Sequence, residues 1–140
     1  MPDDISLLRS TLKRVDFFYS LNFAQLDELI NALKHTKIRK GTEILKQGDM
    51  GDKFYIIASG EVSVHIKKGF GGTKKVAVLG DGDFFGEMAL ISDLPRTATV
   101  IAEEDSEMYV LYKRAFRRIL MASPKINQLI QGTILKRKNV

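Results

Sequence analysis

Ten of the eleven glycines in this 140-residue chain fall between Gly41 and Gly86. So dense a set of permissive residues breaks a chain into short segments joined by tight turns. Long helices are excluded there, and short strands are favoured. The flanks hold only Gly132 between them and read as helical. The order predicted is helices, a β-rich middle, then helices.

The N-terminal flank supports this reading. Ile5, Leu8, Leu12 and Val15 recur at three- and four-residue spacing, which predicts a helix over 3–15, with Asp3 and Asp4 at its positive end. Asn22 followed by Gln25 has the form of a capping box and opens a second helix. Phe23, Leu26, Ile30 and Leu33 line one of its faces, and Phe17, Phe18 and Tyr19 lie in the bend between the helices. In the middle, strands are predicted at Thr36–Arg39, Glu43–Lys46, Phe54–Ala58, Val76–Leu79, Thr97–Ala102 and Met108–Tyr112. Val62, Val64 and Ile66 alternate with polar residues and mark one more. The apolar run Phe54–Ala58 predicts burial on both faces, and the stretch 67–75 (KKGFGGTKK) predicts a flexible hairpin loop. Turn signals about every eight to twelve residues argue for a closed antiparallel sandwich or barrel. After Tyr112 the helical period returns at Ala115, Phe116, Ile119 and Leu120. Ser123-Pro124 starts a last helix striped by Ile126, Leu129, Ile130, Ile134 and Leu135.

Composition removes several function classes. With no cysteine there is no disulfide framework, thiolate metal site or cysteine nucleophile. Two separated histidines, His35 and His65, offer no metal or triad partners in sequence, and surface or edge positions are expected for both. Asp81, Asp83 and Glu87 supply too few oxygens for calcium, so no metal is expected. No apolar run nears the ~18 residues of a membrane span. The acidic start MPDDIS lacks the features of a signal peptide, so a cytoplasmic location is expected. The net charge of +5 is uneven: residues 113–140 carry eight Lys and Arg and no acid, and the rest of the chain nets −3. A solvated helix face is the simplest account of that basic end; contact with nucleic acid or lipid phosphates is the alternative.

The chemistry concentrates in FFGEMALISDLPRTATV, Phe84 to Val100. A helix from Gly86 through Glu87-Met88-Ala89-Leu90-Ile91 lasts little more than one turn before Pro95. Its N-terminal N–H groups suit a phosphate, and Gly86 lets a ligand approach the backbone. Arg96 opens a strand whose Ala98 and Val100 read as inward-facing. An inward arginine demands an anion, and its fork matches phosphate oxygens. Glu87 beside a phosphate makes sense if it accepts from a hydroxyl, a ribose 2′-hydroxyl being the obvious donor. Together these groups describe a small nucleotide site.

Phe85-Gly86-Glu87, Ala89-Leu90, Pro95-Arg96 and Ala98 resemble, in order, the phosphate-binding cassette of cyclic nucleotide-binding domains. Such domains occur in kinase regulatory subunits, cyclic-nucleotide-gated channels and bacterial catabolite activator proteins. The glycine framework Gly41, Gly48, Gly60 and Gly82 is similar too, and the resemblance runs from about Phe17 to the end. It implies an α+β fold: an antiparallel β-roll or jelly-roll barrel with N-terminal helices, a short phosphate-binding helix inside the barrel and C-terminal helices. One domain over 1–140 is expected, with helices to 35, the β-roll over 36–112 and lid helices over 113–140.

By the same resemblance, Arg96 pairs with the exocyclic phosphate oxygens and Glu87 holds the ribose 2′-hydroxyl. Backbone groups of Gly86, Met88 and Ala89 line the sugar-phosphate, and Phe85 and Ala98 belong to the same site. Val62 and Val64 form an apolar wall. Thr97 permits cGMP, through the guanine amino group, without excluding cAMP. The final helix caps the base, with Leu129, Ile130, Ile134 and Arg137 as candidates. The function implied is a non-enzymatic cAMP or cGMP sensor, with no catalytic cofactor, that signals to an effector through its C-terminal helices. A phosphodiesterase would need metal clusters or paired acid–base groups. A DNA-binding activator would need a helix-turn-helix, for which Val140 leaves no room. The start MPDDIS favours a standalone domain over a regulatory fragment of a channel, kinase or transcription factor; oligomeric state is left open.

Overall fold

Glycine-punctuated strands pair into two separate antiparallel sheets. The computed structural model describes residues 2–15, 18, 21–69, 71–120, 128 and 132. In the first sheet the order is β1 (Lys34–Ile38), β8 (Ser106–Tyr112), β3 (Lys53–Ser59) and β6 (Phe84–Phe85). The second runs β2 (Glu43–Leu45), β7 (Thr99–Ala102), β4 (Val62–Lys68) and β5 (Gly71–Leu79). The expected closed barrel is thus an open two-sheet roll. Ladder hydrogen bonds stay within each sheet, and side chains join the two.

Strand β3 shows why the apolar run was needed. Phe54 and Ile56 point to a cluster shared with the helices, among Leu8, Leu12, Phe18, Leu26, Leu29, Leu111 and Phe116. Tyr55 and Ile57 point the other way, into the space between the sheets with Val62, Phe85, Val100, Met108 and Val110. Each such buried side chain contributes roughly 1.5–3 kcal/mol. Phe54 is fully buried, and its ring stands edge-on to Phe18 and Phe84 at 6.2 and 5.7 Å.

Helix α1 (Pro2–Lys13) buries Leu8 and Leu12, with Val15 just beyond it, while Ile5 stays 44% exposed. The Thr11 hydroxyl and the Arg14 guanidinium both donate to the Gly82 carbonyl, at 3.3 and 3.1 Å, which fixes the turn before β6. Helix α2 (Phe23–Ala32) has the predicted capping box: the Gln25 N–H donates to the Asn22 side chain at 2.8 Å, and the Asn22 N–H to Gln25 at 3.0 Å. Its buried residues are Leu26 and Leu29. Phe23, expected on the inner face, lies 64% exposed with the Arg9 guanidinium 4.2 Å over its ring. Helix α3 (Lys113–Leu120) buries Phe116 and packs Ala115 and Ile119 on the helical cluster. The predicted last helix, with Leu129, Ile130, Ile134 and Arg137, lies outside the described residues apart from Gln128 and Gly132, both helical.

The predicted loop over 67–75 is mostly strand. Lys67 pairs with Thr73 and Lys68 with Gly71, so β4 and β5 run on past the second sheet. Glycine weakens a strand by lacking a side chain to pack. At this exposed hairpin end there is nothing to pack against, so that cost falls away and backbone pairing decides the outcome.

Candidate functional site

The site begins where β6 ends. Phe85 pairs with Tyr55, and their rings stack at 4.9 Å and 9°. The chain then turns at Gly86, with φ of +81°, a conformation that L side chains rarely adopt. A Cβ there would meet Arg96 Nη1 at 2.9 Å and the Lys53 carbonyl at 3.0 Å. The short helix follows as a 3₁₀ helix, Glu87–Leu90, with Ala89 and Leu90 buried as its anchor. The N–H groups of Glu87 and Met88 head this helix, and that of Ala89 donates to the Gly86 carbonyl at 3.2 Å. The Ala89 N–H is therefore already engaged within the turn.

Arg96 is the cation of the site. Its Nη2 donates to the Lys53 carbonyl at 2.8 Å and its Nη1 to the Gly86 carbonyl at 3.3 Å. Burial pushes its pKa down from the ordinary arginine value; Tyr55, Asp52 and Glu87 act in the opposite sense. Arginine remains charged under such pressure. Burial also raises the Tyr55 phenol pKa, against the neighbouring guanidinium.

The backbone around Arg96 is tied on both sides. Its N–H donates to the Asp49 carbonyl at 2.8 Å, and its carbonyl accepts from Gly48 at 2.9 Å. The Lys113 N–H donates to the Asp52 carbonyl at 2.8 Å. The Lys113 ammonium donates to the Ser92 carbonyl at 3.0 Å and to the Asp93 carboxylate at 2.5 Å. That hydrogen bond and charge hold the Asp93 pKa below the usual carboxylate range.

A cleft of about 420 Å³ opens over these groups, within the size of small-ligand sites. The structure brings Phe85, Gly86, Glu87, Met88, Ala89, Arg96, Thr97, Ala98 and Val64 to its lining. Val62 does not join them. It is fully buried two residues along β4, opposite Ala102, among the inter-sheet side chains. Alternation points both valines inward, but only Val64 reaches the open end. Leu45, Ser92, Leu94, Pro95 and Val100 also line the cleft. Of these, Val100 was legible as inward-facing; Leu45 comes from a strand whose bulged pairing with β7 obscures its face.

Gly51 carried no signal in the sequence. A Cβ at this position would lie 2.1 Å from Arg96 Nε and 2.2 Å from Cζ. The bare backbone is the floor on which the guanidinium rests.

A two-sheet roll that presents one guanidinium and the head of a short helix to an apolar cleft defines a class of small-ligand binding domains. The cyclic nucleotide-binding domain profile matches residues 35–123. Over 115 residues the chain is 40% identical to the cAMP-dependent protein kinase regulatory subunit of Yarrowia lipolytica, covering 82% of this chain and 30% of that protein. It is 37% identical over 118 residues to a cGMP-dependent protein kinase of Plasmodium berghei, covering 84% of this chain and 13% of that one. The regulatory domain of Toxoplasma gondii PKA, co-crystallised with cAMP, matches with a TM-score of 0.75 at 33% identity, over 85% of this chain and 45% of that one. The chain belongs to the cyclic nucleotide-binding domain family. It spans less than a third of the length of the curated relatives it matches.

Proposed function

We propose that the chain binds a cyclic purine nucleotide, cAMP or cGMP, in this cleft and acts as a regulatory domain with no catalysis of its own. The observation that carries the reading is the convergence of Gly86, Glu87 and Arg96 on one cleft. Arg96 takes the exocyclic phosphate oxygens, helped by the N–H groups heading the 3₁₀ helix. Glu87 accepts from the ribose 2′-hydroxyl. Leu45, Val64 and Val100 pack against the apolar parts of the ligand. The domain signals to an effector domain or protein in the cytoplasm through the helices after Tyr112, with residues 1–140 acting as one unit. Among the described residues no helix is long and apolar enough to cross a membrane.

Calorimetric titration with cAMP, cGMP and the open-ring monophosphates tests the proposal. Saturable binding confined to the cyclic compounds is expected, and failure of both to bind overturns the reading. The Thr97 side chain sits exposed at the rim, where a hydroxyl can reach a base. Thr97→Ala is expected to lower cGMP affinity relative to cAMP by about tenfold, one hydrogen bond to a ligand; an unchanged ratio removes Thr97 from base selection. Gly51→Ala is expected to push the guanidinium from its seat and weaken both ligands by roughly tenfold or more, while circular dichroism stays native.

A further inference from the structure

Beyond Val64 the hairpin of β4 and β5 contributes no residue to the lining of the nucleotide cleft. From Val62 to Gly80 the sequence holds four lysines and no acid. Lys67, Lys68, Lys74 and Lys75 cluster at its far end, where every described residue from 67 to 78 is exposed. The register sets Lys75 opposite His65 and Lys74 opposite Ile66. Lys67 and Lys75 therefore stand on one face of the ribbon, and Lys68 and Lys74 on the other. Lys75 meets Glu103 at 3.8 Å, with both side chains substantially exposed. Among the described residues Lys67, Lys68 and Lys74 make no ion pair. Val76 and Val78, 48% and 50% exposed, continue the strand behind the lysines. In sequence, Phe70 lies between Gly69 and Gly71.

We propose that this hairpin end docks on an anionic lipid surface. Lysines on both faces of a ribbon reach a common plane when the ribbon meets it end-on; a nucleic-acid groove engages one face. All four are lysines, compact charges without the guanidinium fork that reads bases. The exposed Val76, next to Lys75, and Val78 beyond it suit the headgroup boundary, where the chain gains from burying carbon as well as from charge. The inference does not rest on nucleotide binding.

The test is co-sedimentation of the full chain with phosphatidylcholine vesicles, with and without phosphatidylserine, at low and physiological salt. Binding to the anionic vesicles alone is expected, weakening as salt rises. Each lysine at the surface is worth about fivefold in affinity, so Lys67→Gln, Lys68→Gln, Lys74→Gln and Lys75→Gln combined should lose roughly a hundredfold or more. The four corresponding Lys→Arg changes should restore binding, and Arg96→Ala should leave it intact. Equal binding to neutral vesicles overturns the proposal. So does loss of binding on neutralising Lys136, Arg137 and Lys138 instead of the hairpin, since the tail is then the contact. Tighter binding to duplex DNA at the same salt assigns the surface to nucleic acid. Full competition by millimolar inorganic phosphate assigns it to a discrete phosphate pocket; either result overturns the lipid reading.

Discussion

Arg96→Ala is expected to weaken cyclic nucleotide binding by roughly thirtyfold to several thousandfold. Removing one partner of a buried, hydrogen-bonded charge pair costs about 2–5 kcal/mol, much of it from leaving the ligand's charge without its counterion. Arg96→Lys should recover only part of the loss, because an ammonium restores the charge without the two-pronged geometry. The folded protein should survive the change. The guanidinium donates to the carbonyls of Gly86 and Lys53, and water can replace those hydrogen bonds at the cleft edge. Calorimetry paired with circular dichroism separates the two effects. Undiminished affinity in a folded Arg96→Ala protein would remove Arg96 from the site.

The second large effect is on stability. Phe54→Ala is expected to cost about 3–5 kcal/mol, the range for deleting a fully buried aromatic ring. Phe54 has no exposed surface, and its ring touches those of Phe18 and Phe84. The cavity would open between the helices and the first sheet, on the strand that also carries Tyr55 and the Lys53 carbonyl that receives Arg96. Urea unfolding should show a lower midpoint. A change under about 1 kcal/mol would mean that the helical cluster collapses into the gap.

Features written in local pattern are legible in the residues themselves. The Asn22–Gln25 capping box, the two-sided burial of β3 and the short helix after Gly86 follow from spacing alone. Gly86, Glu87 and Arg96 also stand out in the sequence, and all three line one cleft. What stays hidden depends on distant parts of the chain. Gly51 looks like any turn glycine until Arg96 is laid across it. Val62 and Val64 share a face, and only the length of the cleft separates them. Phe23 has the right phase for burial, yet Arg9 covers it at the surface instead. The stretch 67–75 has a loop's composition, but pairing across the ribbon outweighs the glycines. The 3₁₀ form of the short helix also escapes propensity, since it follows a left-handed Gly86 and is anchored by the burial of Ala89 and Leu90.

The ties around Arg96 have a mechanical consequence. Its main chain is stitched to Gly48 and Asp49, while its side chain spans to Lys53 and Gly86. A few residues on, the Asp52 carbonyl holds Lys113, whose ammonium reaches back to Ser92 and Asp93. These links close a ring that leaves the 92–96 segment, crosses the β2–β3 loop, enters the first turn of α3 and returns. A force applied to the guanidinium is therefore shared around the ring. The parts that shift together are set by this loop of bonds rather than by their order along the chain, and α3 is the member of the loop that joins it to the helical cluster through Phe116.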